Sequence, residues 1–299
     1  MNLAEMYAQD QLTISFELFP PKTEKGMENL FHDLKELVAC GPSFITCTYG
    51  AGGSTHERTL MVLRRIIDEH PGIPVASHLT CAGATEADLR DYLQQAAAMG
   101  VRFVVALRGD PPQGEKDFVP TDSRFRYGED LVRFIREEFP QFGIAVGGYP
   151  ETHPEAPSRA KDMQHLKRKV DAGADAVITQ LFYDNCDFYR FRDRCEREGI
   201  HVPIIPGVLP VVSLPQITKI ATMCGANLPP KLLERLEAQT DEEGQFLVGL
   251  YYATRQVEEL VEQGVPGVHF YVLNKSRAAA FICRALNLSQ RADGAVRQA

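Results

Sequence analysis

The stretch Leu12-Thr13-Ile14-Ser15-Phe16-Glu17-Leu18-Phe19-Pro20-Pro21-Lys22 (12–22) decides how the rest of the chain is read. Leu12, Ile14, Phe16 and Leu18 fall on one side of an extended chain, and Thr13, Ser15 and Glu17 on the other. That period of two marks a strand. Pro20 and Pro21 offer no backbone donor and stop it at once. Glu17 is thereby fixed at the carboxyl end of a rigid element. A carboxylate there suits an acid catalyst, although charge on a strand edge also serves solubility.

Seven more apolar, β-rich runs follow, at 44–48, 73–78, 102–107, 143–147, 176–180, 202–206 and 267–271. Amphipathic segments separate them at 27–39, 56–69, 86–99, 129–138, 158–172 and 188–198. Gly41, Gly100, Gly173 and Gly199 supply helix-ending signals. Eight βα units in 299 residues predict the α/β class and a single (β/α)8 TIM barrel. A doubly wound sheet competes, but about six strands suffice for it, and no Gly-x-Gly-x-x-Gly follows an early strand. A polar loop is expected at 111–127 after the fourth strand, and extra helix at 229–263 between the seventh and eighth. The barrel is expected to occupy 1–288, and the polar residues 289–299 to form a frayed tail.

Composition narrows the function. A hydrophobic content of 44% and a charged content of 24% belong to a globular protein with a sizeable core. The formal net charge of -8 speaks against a nucleic-acid partner, which calls for a basic face. Residues 1–10 lack the apolar core of a signal peptide, and no run reaches the roughly 18 apolar residues that span a bilayer. The seven cysteines include no Cys-x-x-Cys, which predicts reduced thiols in a cytoplasm.

Barrel enzymes carry their chemistry where the strands stop. The first strand stops at Glu17 and the second at Thr48-Tyr49-Gly50-Ala51. The third stops at His78-Leu79-Thr80-Cys81 and the fourth at Arg108-Gly109-Asp110. Tyr149-Pro150-Glu151-Thr152-His153 follows the fifth, Gln180 ends the sixth, and Tyr271 to Lys275 end the eighth. So regular a change from apolar to hydrogen-bonding residues predicts a polar pocket across this face. His78 alone reads more readily as a core histidine satisfied by a backbone group. Metal is not expected, because His78, His153 and scattered acids do not make a ligand cluster. No Gly-x-Ser-x-Gly marks a hydrolase nucleophile. On the helix after the fifth strand, Asp162, His165 and Lys169 recur at spacings of three and four, with Arg168 beside them. Such a helix is ordinarily a solvated face; here its basic end is also suited to a diphosphate.

These segments, taken in order, resemble the methylenetetrahydrofolate reductase family of the bacterial type. The resemblance rests on Ser-Phe-Glu-Leu-Phe-Pro-Pro-Lys (15–22), Thr-Tyr-Gly (48–50), His-Leu-Thr-Cys (78–81) and Leu-Arg-Gly-Asp-Pro (107–111). It continues through Tyr-Pro-Glu-Thr-His-Pro-Glu-Ala (149–156), Leu-Lys-Arg-Lys-Val-Asp-Ala-Gly-Ala (166–174), Ile-Thr-Gln (178–180), Ile-Pro-Gly-Val-Leu-Pro (205–210) and His-Phe-Tyr-Val-Leu-Asn (269–274). It implies a barrel holding FAD noncovalently, reduced by NADH or NADPH. The hydride would then pass to 5,10-methylenetetrahydrofolate in a ping-pong sequence, giving 5-methyltetrahydrofolate for methionine synthesis.

By the same resemblance, Glu17 is the general acid that opens the folate's imidazolidine ring, a role that requires a carboxyl group still protonated near neutral pH. Asp110 is the acid beside the flavin pyrimidine. Thr48, Ala51, His78, Arg108, Gly109, Asp110, Tyr127, Gly128, Tyr149, His153, Asp162, His165, Arg168 and Lys169 are implied FAD contacts. Gln180, Gln216, Ile220, Tyr271 and Lys275, with Glu17, fall at folate or nicotinamide positions. The chain departs from the family pattern at Ile220, where an aromatic residue is usual. Lys275 stands for Arg and loses the bidentate fork; His165 stands for Asn. A homo-oligomer without feedback control by adenosylmethionine is implied. The competing readings are another flavin barrel of the proline-dehydrogenase kind and a noncatalytic flavin- or folate-binding subunit of a one-carbon complex.

Overall fold

The computed structural model describes residues 3–9, 11–49, 56–109 and 120–289. In chain order the first elements are α1 (Leu3–Tyr7), β1 (Thr13–Leu18), α2 (Glu24–Val38), β2 (Phe44–Cys47), α3 (His56–Glu69), β3 (Val75–Thr80), α4 (Glu86–Met99) and β4 (Phe103–Leu107). Next come α5 (Gly128–Glu138), β5 (Gly143–Gly148), α6 (Arg159–Asp171), β6 (Ala176–Thr179) and α7 (Asn185–Arg197). The chain closes with β7 (Ile204–Ile205), β8 (Gly207–Val208), α8 (Leu214–Cys224), α9 (Pro230–Glu237), α10 (Glu242–Glu262), β9 (Gly267–Tyr271) and α11 (Arg277–Ala285).

The strands run in the order β7-β6-β5-β4-β3-β2-β1-β9-β8, with parallel pairing throughout. Only Pro206 separates the two ends of that order, so the expected seventh strand is present but divided, and the ring is a barrel. Proline cannot donate to a ladder. The interruption is bridged by Pro206 O, which accepts from His269 N at 3.0 Å, and by Thr179 Oγ1, which accepts from Gly207 N at 2.9 Å. The extra helix expected at 229–263 is α9 and α10. Of the expected 111–127 loop only 120–127 lies within the described residues, and of the 289–299 tail only Ser289.

Alternation on the strands sorts side chains into two regions. Ile14, Phe16, Leu18, Ile45, Leu79, Val104, Ile144 and Phe270 join the helices in the outer core. The opposite faces point into the barrel, whose amino-terminal end is filled by Phe44, Phe103, Ala145, Ala176 and Ile205 around Leu3, Met6 and Tyr7 of α1. The α1 plug is not anticipated by the sequence reading, since five residues are too few for a legible helical period. It makes a dry floor beneath the polar groups at the carboxyl ends of the strands.

Candidate active site

Glu17 sits above that floor and is only 7% exposed. Its strand is held on both sides: Glu17 stands beside Thr46 of β2 and beside Tyr271 of β9. Two imidazoles face its carboxylate, His78 Nε2 at 3.4 Å and His269 Nε2 at 3.6 Å from Oε2. His269 is 1% exposed, and its Nδ1 is 2.8 Å from Ser15 Oγ. A Ser15 hydroxyl donating to Nδ1 leaves the Nε2 proton directed at Glu17. Ser15 and His269 were not selected from the sequence. Their alternation with Glu17 and Tyr271, two residues apart on each strand, was the signal that could have found them.

Burial pushes the His78 pKa down, against the neighbouring Glu17 and with help from His269. The unfolded chain therefore binds a proton at His78 more readily than the folded one. Stability is expected to fall as pH drops below 6.5, the imidazole's ordinary value, and to fall less steeply in His78→Gln. Urea unfolding of the two proteins across pH 5–8 measures this.

A second group of residues gathers where β4 and β5 end against α5 and α6. The N-cap of α6 is Ser158, whose hydroxyl accepts from Lys161 N at 3.2 Å, and this start sets Asp162, His165, Arg168 and Lys169 facing the β4 and β5 ends. His153 N donates to Asp162 Oδ2 at 3.0 Å. The Tyr149 and His153 rings meet edge-on at 4.5 Å, and the Tyr127 and His165 rings lie 5.3 Å apart. Lys169 Nζ donates to Gly147 O at 2.5 Å. Burial pushes its pKa down to about 8, with Asp162 and Glu129 opposing. Gly128 lies over the Lys169 stem, which a Cβ there would meet at 3.3 Å. Gly109 has φ +90, and a Cβ on it would stand 2.8 Å from Ala82 and 2.9 Å from Thr80. No other residue fits so close a crossing of the β3 and β4 ends.

Two carboxylates in this group had no sequence signal. Glu129, 8% exposed, lies 3.5 Å from Arg168 Nη1 and 3.9 Å from His165 Nδ1. Glu155 receives Arg108 Nη2 at 2.6 Å. Arg108 also donates to Gly109 O at 3.1 Å, so its guanidinium is already oriented.

The residues expected at the substrate end divide. Tyr271 donates its hydroxyl to Thr179 O at 2.6 Å, which leaves its ring as the surface it can offer. Gln216, Tyr271 and Lys275 line a cavity of about 260 Å³ together with Leu209, Phe246 and Glu243. Ile220, one turn beyond Gln216 on α8, does not line it; it packs against the apolar cluster that includes Leu181, Leu209 and Leu232. Gln180 is half-buried, its Oε1 accepting from Leu181 N at 2.9 Å. Thr48 directly follows β2, its N–H donating to Leu18 O at 2.9 Å. Ala51 and Asp110 lie outside the described residues. Another hollow of about 270 Å³, lined by Arg192, His201 and Pro266, opens at the amino-terminal end of the strands, away from these groups.

Whether a planar, hydrogen-bonding cofactor suits this face is testable on the polar atoms left over. His78 Nε2, Thr80 Oγ1 and Thr46 Oγ1 are buried and form no hydrogen bond among the described residues. All three belong to inward positions of β2 and β3, and an unsatisfied buried group carries a cost of about 1–3 kcal/mol. Beside them stand the cations Arg108, Arg168 and Lys169. Donors and acceptors at one end with cations at the other fit a flavin dinucleotide. Among the described residues no His, Cys, Asp and Glu cluster has the makings of a metal site. No described helix is long and apolar enough to cross a membrane.

Comparison with known proteins gives a consistent answer. A family model described as methylenetetrahydrofolate reductase matches residues 2–287. The 5,10-methylenetetrahydrofolate reductase of Escherichia coli is 40% identical over 288 residues, covering 96% of this chain and 94% of that protein. Methylenetetrahydrofolate reductase (NADH) 1 of Arabidopsis thaliana is 38% identical over 291 residues. The chain spans about half the length of the plant relatives it matches. A solved structure, an uncharacterized protein from Clostridium thermocellum that binds two copies of 5-methyl-5,6,7,8-tetrahydrofolic acid, has a TM-score of 0.60 at 15% identity. It covers 97% of this chain and 99% of its own, which is a likeness of fold.

Proposed function

Since the chain belongs to the methylenetetrahydrofolate reductase family, we propose that it reduces 5,10-methylenetetrahydrofolate to 5-methyltetrahydrofolate with a reduced nicotinamide as the donor and FAD as the carrier. The observation that carries this reading is Glu17, a buried carboxylate at a strand end with an imidazole on either side. The chemistry a bound FAD would supply is hydride transfer from the nicotinamide to the folate.

The residues of the chain divide the remaining work. Arg168 and Lys169 would hold the diphosphate, with Glu129 keeping the basic side chains apart and oriented. Arg108, braced by Glu155, would close the same site. His78, Thr80 and Thr46 would hydrogen-bond the ring system above the floor. Glu17 would deliver a proton to the imidazolidine ring, so that the ring opens to the iminium that accepts hydride. The Tyr271 ring and Gln216 would position the pterin and its benzoyl extension, and Lys275, exposed at the mouth, would meet a carboxylate of the tail. The apolar floor keeps water from below the reacting groups, which strengthens each charge interaction there.

Two experiments bear on this. Incubating the protein with methylenetetrahydrofolate and either NADH or NADPH, with products followed by mass spectrometry, is expected to yield 5-methyltetrahydrofolate; its absence with both donors would overturn the reading. The second concerns Lys169. A bound diphosphate raises the pKa of the ammonium above its value of about 8, so binding takes up a proton at higher pH. FAD affinity is therefore expected to fall by up to about tenfold per pH unit above that value. Lys169→Met should bind FAD more weakly and lose the pH slope. Flavin fluorescence titrations between pH 7 and 9.5 measure both.

A further inference from the structure

Asn274 closes the segment 269–274 and has no part in the proposed reaction. Asn274 sits just beyond β9, in a turn closed by Lys275 N donating to Val272 O at 2.8 Å. The two central residues of the turn, Leu273 and Asn274, have φ of 49 and 57. Both are left-handed, as in a type I′ turn. Asn tolerates that conformation, but Leu does so at a cost, and strain of this kind persists only where the surroundings enforce it. The turn is therefore held, and its contacts show by what. Asn274 Oδ1 accepts from Phe19 N at 2.8 Å, and Asn274 Nδ2 donates to Phe19 O at 2.8 Å.

Phe19 lies two residues after Glu17, and Pro20 and Pro21 follow it. The ladder between β1 and β9 ends with Glu17 beside Tyr271, because the turn then carries the β9 backbone away. The carboxamide of Asn274 presents one acceptor and one donor, as a peptide unit does, and so extends the ladder by one rung, from Glu17 to Phe19. On the other side, Leu18 O is held by Thr48 N at 2.9 Å. The segment carrying the acid is thus pinned from both neighbouring strands, and on the β9 side a single side chain does it beyond the last rung of the ladder. The same turn delivers Lys275 to the rim of the cavity.

We infer that Asn274 is the positioning residue for Glu17: by clamping both backbone groups of Phe19, it fixes the acid in register with Tyr271 and Lys275 across the substrate site. The inference rests on the folate-reducing function proposed above. Losing the clamp lets the end of β1 drift, and a misplacement of about 1 Å can cost up to 100-fold in rate. Asn274→Gly isolates the effect, since glycine accepts the left-handed turn without strain and removes only the carboxamide. Asn274→Asp keeps the acceptor for Phe19 N but sets a carboxylate oxygen against Phe19 O.

Stopped-flow measurement separates the two half-reactions. In both variants reoxidation of the reduced flavin by methylenetetrahydrofolate is expected to slow by about 10- to 100-fold. Flavin reduction by the nicotinamide should stay near the parent rate. The decisive arm is Glu17→Gln combined with Asn274→Gly. If Asn274 acts through Glu17, the second change adds nothing to the first in the folate half-reaction. Multiplying effects, equal slowing of both half-reactions, or unimpaired folate reduction in Asn274→Gly would each overturn the assignment. A parent protein whose reduced flavin ignores methylenetetrahydrofolate would instead sink the functional reading on which it rests.

Discussion

Replacing Glu17 by Gln is expected to slow folate reduction by about 10²- to 10⁴-fold, the usual range for removing a positioned proton donor, while flavin reduction by the nicotinamide proceeds near the parent rate. The substitution keeps the shape of the side chain and its ability to hydrogen-bond. It removes only the exchangeable carboxyl proton. His78 and His269, at 3.4 Å and 3.6 Å from the carboxylate, are not substitutes. Burial pushes the His78 pKa down, so it is a poor source of a proton near neutral pH, and His269 Nδ1 is engaged by Ser15 at 2.8 Å. Rapid mixing of pre-reduced protein with methylenetetrahydrofolate, followed at the flavin absorbance, measures the loss. A variant that reoxidises at the parent rate would remove Glu17 from the chemistry.

The second large effect is expected at Gly207, where the divided strand passes the site. A Cβ on Gly207 would overlap the carbonyl oxygen of Thr179 and lie 2.6 Å from the Tyr271 ring. The first neighbour is backbone and cannot swing aside. It is also the acceptor of the Tyr271 hydroxyl, and the Thr179 side chain accepts Gly207 N. One methyl group therefore disturbs the closure of the barrel and a wall of the substrate cavity together. Overpacking of this kind costs about 1–3 kcal/mol, and more where backbone must move. For a chain of this size Gly207→Ala should lower the melting temperature by roughly 5–10 °C. Gly72→Ala is the control, because nothing lies within 4 Å of the added atom. Calorimetry that finds the two variants equally stable would contradict this account of how the ring closes.

The barrel was legible because its strands carry the period of two and its helices the longer one, and the expected 56–69 and 86–99 segments coincide with α3 and α4. What escaped was local. Pro206 breaks a strand that reads as continuous, since a proline demotes a ladder without ending the apolar run. Three turns of tertiary logic were also hidden. The α1 plug is too short to show a period, Glu129 and Glu155 acquire meaning only from the basic side chains they meet, and the Asn274 clamp spans 255 positions of sequence. The site residues were found where strand ends coincide with a change of polarity. Arg108, Tyr127, Tyr149, His153, Asp162, His165, Arg168 and Lys169 stand near one another where β4 and β5 end against α5 and α6. Ile220, chosen by position alone, does not line the cavity that Gln216, Tyr271 and Lys275 share; it follows Gln216 on the same face of α8, one turn further along.

Under the proposed function a hydride passes in two separable steps through a bound flavin, with Glu17 needed only for the second. Anaerobic addition of NADH or NADPH to the FAD-loaded protein, then of methylenetetrahydrofolate once the nicotinamide is exhausted, tests it directly. The yellow absorbance should bleach on the first addition and return on the second, with 5-methyltetrahydrofolate formed in equal amount. A flavin that bleaches but stays reduced in the presence of the folate, or one that the nicotinamide leaves yellow, would contradict it.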